Sequence, residues 1–218
     1  MALGFGEAGS KIIADNMANS GDVNPMNPGN KVMAIFGFCD IRQFTDTTEI
    51  LQEDVMLFVN EIAELVHGIV DKFSGAANKN IGDAFLLVWK LDEDDYEEDE
   101  SGELQVIPTR KVNELADMSA ISFLKIVSGI KKSRKCERYK RNAKLQERMP
   151  NYSVKIGFGL HIGWAIEGAI GSFYKIDASY LSPNVNMASR LEAATKQFGT
   201  PLLFSGQLYQ TCTPAMQS

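Results

Sequence analysis

An α+β domain, with a mainly antiparallel sheet and helices packed on one face, is the architecture this sequence predicts, and three observations predict it. Two short apolar runs, Val32-Met-Ala-Ile-Phe-Gly-Phe-Cys39 and Ala84-Phe-Leu-Leu-Val-Trp89, have the length and composition of buried strands. Between them, apolar residues recur at helical spacing. Turn residues then divide the remainder into further strand-like and helix-like pieces, so strands and helices alternate irregularly instead of repeating as βαβ units.

Taken in order, residues 1–30 are a weakly helical lead followed by a linker rich in Gly, Asn, Asp and Pro, and the domain is expected to run from Lys31 to Ser218. From Asp46 to Phe73, the residues Val55, Phe58, Val59, Ile62, Val66, Ile69, Val70 and Phe73 mark one buried face of a long helix closed by Gly75. Residues 76–89 read as a hairpin turning at Gly82-Asp83. The acidic block Leu91-Asp-Glu-Asp-Asp-Tyr-Glu-Glu-Asp-Glu-Ser-Gly-Glu103 is expected to repel itself into a solvated, mobile loop, and it lacks the ordered spacing of an EF-hand. A second helix is expected over Val112–Ile130, continuing into a basic run at 131–141 that reads as a solvated helix face. Val154 to His161 alternates as a strand, with Trp164 to Ile170 as its hairpin mate. Ser182-Pro183 supplies an N-cap and a first-turn proline for a helix ending at Gly199, and Pro201-Leu-Leu-Phe-Ser205 is a last short strand.

Composition limits the function. A formal net charge of −6 provides no positive field to collect a nucleic-acid backbone, so nucleic-acid binding is not expected. Cys39, Cys136 and Cys212 are too few and too scattered for a disulfide framework or a zinc cluster, which favours a reducing, cytoplasmic setting. No apolar run has the roughly 20 residues needed to span a bilayer. His67 and His161 have no metal-ligand spacing around them and read as structural.

Chemistry concentrates at Asp40 and Asp83. Asp40 ends the first apolar run and Asp83 sits in the turn before the second, so two carboxylates fall at the ends of neighbouring strands. Such a pair suits Mg²⁺, which prefers oxygen ligands and completes its shell with substrate phosphates. Asn186 and Arg190, four apart on the last long helix, project from one face and can reach one ligand.

Three stretches resemble motifs of the class III nucleotidyl cyclase catalytic domain. Phe38-Cys-Asp-Ile-Arg-Gln-Phe-Thr45 resembles that family's first metal motif, Lys79-Asn-Ile-Gly-Asp-Ala-Phe85 its second, and Val185-Asn-Met-Ala-Ser-Arg-Leu-Glu192 its transition-state helix. The resemblance is strongest over residues 32–90 and 154–206 and implies the ferredoxin-like, palm-like cyclase fold. It further implies two Mg²⁺ or Mn²⁺ ions per site held by Asp40, Asp83 and the Ile41 carbonyl, and phosphate contacts from the amides near Phe44 and Thr45. Asn186 would orient the ribose and Arg190 would meet charge on the α-phosphate. Lys79 is the family's ATP-type base selector, an ammonium that can donate to adenine N1, whereas a GTP enzyme has Glu there. Ser179 falls at the partner position and is compatible with ATP, with Asp177 as an alternative if the loop register slips. Homodimers with sites at the interface are implied as well.

The implied activity is an adenylyl cyclase acting on ATP. A guanylyl cyclase, a non-catalytic dimerising module and a palm-type polymerase or diguanylate cyclase are the competing readings; Lys79, the full set of four polar residues and the Asn186–Arg190 helix count against them in turn. Two departures stand out. Ser182-Pro183-Asn184 replaces the Gly-Asp-Thr many relatives carry, and the sequence stops shortly after a short helix near Gln207, where the family usually continues into a final hairpin with a triphosphate-binding lysine. Either the sequence is truncated or the phosphate grip differs, so that lysine is unassigned and weakened activity is expected.

Overall fold

The computed structural model describes residues 9, 10, 12–14, 16–18, 24, 26–172 and 174–218; much of the expected linker at 19–25 lies outside them. The elements run β1 (Asn30–Ile41), α1 (Phe44–Leu51), α2 (Val55–Lys72), β2 (Ala76–Ile81), β3 (Ala84–Lys90), β4 (Tyr96–Glu98), β5 (Leu104–Val106), α3 (Arg110–Lys132), α4 (Arg134–Lys140), α5 (Ala143–Arg148), β6 (Ile156–Ser172), β7 (Lys175–Leu181), α6 (Pro183–Phe198), β8 (Leu202–Phe204), α7 (Gly206–Thr211) and α8 (Pro214–Gln217). The main sheet is ordered β2-β3-β1-β6-β7, antiparallel throughout, with β8 added parallel to β6. No helix among the described residues is long and apolar enough to cross a membrane.

Strand alternation sorts the core into two layers. Met33, Ile35, Cys39 and Ile41 of β1 join Phe85, Leu87 and Trp89 of β3 and the Phe58, Ile62, Val66, Val70 stripe of α2, together with Phe123 and Ile126 of α3. Each of those fully buried aromatic or aliphatic side chains contributes roughly 1.5–3 kcal/mol. The alternate residues, Val32, Ala34, Phe36, Leu86 and Val88, face the other way and pack with Ile12, Ile13, Ala178, Tyr180 and Ala188.

The α+β class and the antiparallel sheet are as expected, but the helices do not all share one face. α6 lies on the second layer through Ala188, crossing β6 where Gly157, Gly159 and Gly163 leave room for it; a Cβ at Gly159 would collide with the Ala188 carbonyl and the Glu192 amide. Those glycines also explain a second correction. Residues 156–172 form one strand, with no hairpin between 161 and 164, because its glycines admit a helix instead of making a turn. The mate of the outer half of β6 is β7.

The long helix expected from Asp46 is two helices, broken where Gln52 takes a left-handed φ of 52°, although the apolar stripe continues through the break. The acidic block is an ordered hairpin instead of a loop. Lys111 bridges Asp92 and Asp95 at 2.6 and 2.7 Å, and Asp99 accepts bonds from Ser101, Glu103 and Gln105 across the β4–β5 turn. The basic run packs as α4, whose Lys135 and Arg138 meet Glu64 and Glu61 of α2 at 2.6 and 2.7 Å. Cys39, Cys136 and Cys212 are buried free thiols.

Candidate active site

Asp40 and Asp83 are brought together by the β1–β3 pairing. Asp40 is the register partner of Ala84, and the Ile41 amide donates to the Asp83 carbonyl at 3.0 Å, so both acids stand at the same end of the sheet. Gly82, with φ 62°, makes the turn that returns Asp83 to this position. Burial first, and then the neighbouring Asp83 charge, push the Asp40 carboxyl above its ordinary value, while Lys196 and Arg42 pull it down. Two like charges close enough to disturb each other suit a hard divalent cation. Among the described residues no three His, Cys, Asp or Glu side chains group into a ready metal cage.

Phe44 and Thr45 begin α1, directly after Gln43 in a left-handed conformation. Among the described residues the first α1 amide engaged is that of Thr47, bonded to Gln43 O at 3.1 Å, which leaves the positive end of α1 beside Asp40.

Lys79 reaches the Asp40 face of the sheet through a register shift. The β2–β3 ladder slips between Ala77 and Lys79, so Lys79 pairs with Leu86 and shares its face. The sheet also curls until its edge strands meet, with Asn78 Nδ2 donating to the Ala178 carbonyl at 3.4 Å. Lys79 and Ser179 therefore adjoin along the backbone but do not converge. Ser179 is opposite Gly168, whose open face meets Gly29, and alternation turns it away from the layer of Ala178 and Tyr180; it is 6% exposed. Asp177 shares the Ser179 side of β7 and pairs with Lys175 at 3.6 Å.

α6 is anchored at its start by Ser182, whose hydroxyl accepts from the Asn184 amide at 3.0 Å and donates to the Trp164 carbonyl at 2.6 Å. Asn184 joins the same carbonyl at 2.8 Å and His161 Nε2 at 3.0 Å, so the residues that depart from the family pattern fasten the helix to β6. The inward stripe is Ala188, Glu192 and Thr195. At about 100° per residue, Asn186 and Arg190 lie on the opposite side, about 40° apart. Both are exposed, and neither side chain has a hydrogen-bond or ion-pair partner among the described residues. The structure thus does not bring them to Asp40 and Asp83 of the same chain.

Sequence reasoning missed a cluster behind Asp40. Arg42 Nη1 lies 2.5 Å from Glu192 Oε1 and 3.3 Å from Asp40 Oδ1, while its Nη2 donates to the Thr195 hydroxyl; Lys196 Nζ is 3.8 Å from Asp40. Glu192 is 4% exposed, and burial raises its carboxyl above the usual range against the pull of Arg42. The available signal was the polar Glu192 and Thr195 on the buried stripe of α6, three residues apart.

The adenylate and guanylate cyclase catalytic domain model matches residues 26–200. The chain belongs to that family. This cyclase domain is 27% identical over 169 residues to an adenylate cyclase of Anabaena cylindrica, covering 77% of the chain and 28% of that relative. It therefore spans less than a third of that relative's length. A bacterial light-regulated adenylyl cyclase superposes with a TM-score of 0.68 at 26% identity, over 94% of this chain and 51% of that one. The guanylyl cyclase Cya2 has the same fold, with a TM-score of 0.62 at 17% identity over 86% and 81% of the two chains. Since adenylyl and guanylyl cyclases share it, the fold alone does not select the base.

Proposed function

We propose that this domain is an adenylyl cyclase, converting ATP to 3′,5′-cyclic AMP and pyrophosphate at two equivalent sites between two copies of the chain. The observation that carries the reading is the division of polar groups within one chain: Asp40 and Asp83 meet at the end of β1 and β3, while Asn186 and Arg190 point outward from the far side of α6. A two-fold pair of chains can join one half-set from each copy, and closed two-fold assembly is the commonest kind.

The donor set fits Mg²⁺ or Mn²⁺, two per site, held by Asp40, Asp83 and the Ile41 carbonyl. When bound, such ions supply positive charge beside phosphate oxygens and make a coordinated hydroxyl more acidic. The start of α1 at Phe44 and Thr45 presents amides to the β- and γ-phosphates. Asn186 orients the ribose so that its 3′-oxygen faces the α-phosphorus. The 3′-hydroxyl gives up its proton to solvent as a new P–O bond forms there, the bond to the bridging oxygen breaks, and pyrophosphate leaves in line. Arg190 meets charge that builds on the α-phosphate, an interaction that strengthens as the bond forms. Lys79, from the same chain as Asn186 and Arg190, donates to adenine N1 of the site whose aspartates come from the other copy; Ser179, buried and turned to the opposite side of the sheet from Lys79, is the weaker base selector.

The test is incubation of the purified chain with ATP or GTP and Mn²⁺, with products identified by mass and Asp83→Ala as control. Cyclic AMP from the parent and none from the variant is expected. Cyclic GMP as the main product would overturn the base assignment, and no cyclic product with either nucleotide would overturn the enzyme reading.

A further inference from the structure

Arg42 occupies a built setting. Its guanidinium passes over Gly157, where any Cβ would strike it, and it ends between Asp40 on one side and Glu192 and Thr195 of α6 on the other. It lies closer to Glu192 than to Asp40, at 2.5 against 3.3 Å. The Glu192 contact is ionic without good hydrogen-bond aim, since Oε1 has no properly directed donor among the described residues. Asp40, Asp83 and Glu192 face Arg42 and Lys196, so the cluster has net negative charge only while Glu192 contributes its own.

We propose that Arg42 is a positioning residue shared between Asp40 and the buried Glu192, and that Glu192 sets how strongly Arg42 competes with a divalent cation for the Asp40 carboxylate. The inference rests on the reading of Asp40 as a metal-binding group. With Glu192 in place, the guanidinium is drawn toward α6, and its contact with Asp40 Oδ1 stays the longer of the two, at 3.3 Å. Without that charge, Arg42 has Asp40 as its remaining nearby carboxylate, and an entering cation must displace it. Thr195 acts in the same sense by holding Nη2 on the α6 side.

The experiment compares the parent with Glu192→Gln and Thr195→Val. Mn²⁺ binding is read from the loss of the free-ion electron paramagnetic resonance signal, in the presence of ATP lacking its 3′-hydroxyl. Melting temperature is measured beside it, and turnover of ATP is followed against Mn²⁺ concentration. Glu192→Gln is expected to weaken Mn²⁺ binding about 10-fold, the range seen when groups supporting a metal ligand are lost, and Thr195→Val to weaken it less. Turnover at saturating Mn²⁺ should fall far less than affinity does. If the melting temperatures drop while Mn²⁺ binds both variants as tightly as the parent, Arg42 and Glu192 are packing partners only and the proposal is overturned. Should Glu192→Gln fold poorly, Thr195→Val alone decides by the same criterion. A parent that neither binds Mn²⁺ nor yields a cyclic nucleotide would remove the reading of Asp40 itself, an outcome separate from unchanged binding in the variants.

Discussion

Arg190 is exposed and has no hydrogen-bond or ion-pair partner among the described residues, so its removal leaves no buried group there stranded. Arg190→Ala should therefore fold normally, with a melting temperature close to the parent. Its cost should fall on turnover, which is expected to drop about 10²–10³-fold in kcat with little change in KM, because the contact strengthens mainly as the reaction proceeds. Steady-state kinetics with ATP check this; a rise in KM at unchanged kcat would make Arg190 a ground-state binder. His67 and His161 behave differently. Burial lowers both below the ordinary histidine value, against the pull of Asn80 and Asn184, so the folded chain resists protons that the unfolded chain accepts. Stability is full above the unfolded value near 6.5 and falls as pH drops below it toward the depressed folded values. The melting temperature is expected to decline between pH 7.5 and 5.8, and to decline less in a His67→Gln, His161→Gln double variant. An equal decline would mean that neither histidine is responsible.

At the scale of elements, the α6–β6 contact positions half of the proposed site. Gly159→Ala would push a methyl into the Ala188 carbonyl and Glu192 amide, both backbone, so the helix must move as a unit. A loss of about 1–3 kcal/mol is expected from such overpacking, measured by urea unfolding, together with a fall in activity. A stable variant with parental turnover would show that α6 tolerates displacement. This contact also marks what local pattern could not reveal. Apolar periodicity and caps made α2, α3 and α6 legible, and the Gly82-Asp83 turn made the β2–β3 hairpin legible. Glycine at 163 looks the same whether it bends a chain or admits a helix, and only the approach of Asn184 from a later element distinguishes the two. The acidic block was misread for a related reason, because Lys111, which offsets Asp92 and Asp95, comes well after the hairpin it steadies.

Across the whole molecule, legibility of the site follows sequence distance. Asp40 and Asp83 could be placed from local pattern, since each ends or begins an apolar strand. The ion pair of Arg42 with Glu192 joins residues 150 apart and has no local signature. The relation of the two half-sets was legible only through resemblance; the helical wheel of α6 adds that Asn186 and Arg190 lie opposite its buried stripe, where the proposed second copy would meet them. The most direct measurement of that arrangement mixes two inactive variants, Asp83→Ala and Arg190→Ala, under conditions that let subunits exchange. Each heterodimer would combine one doubly altered site with one intact site, so random exchange predicts recovery of roughly a quarter of parental cyclic AMP production. Activity that remains at the level of the separate variants, with exchange shown by mass, would contradict a site shared between two chains.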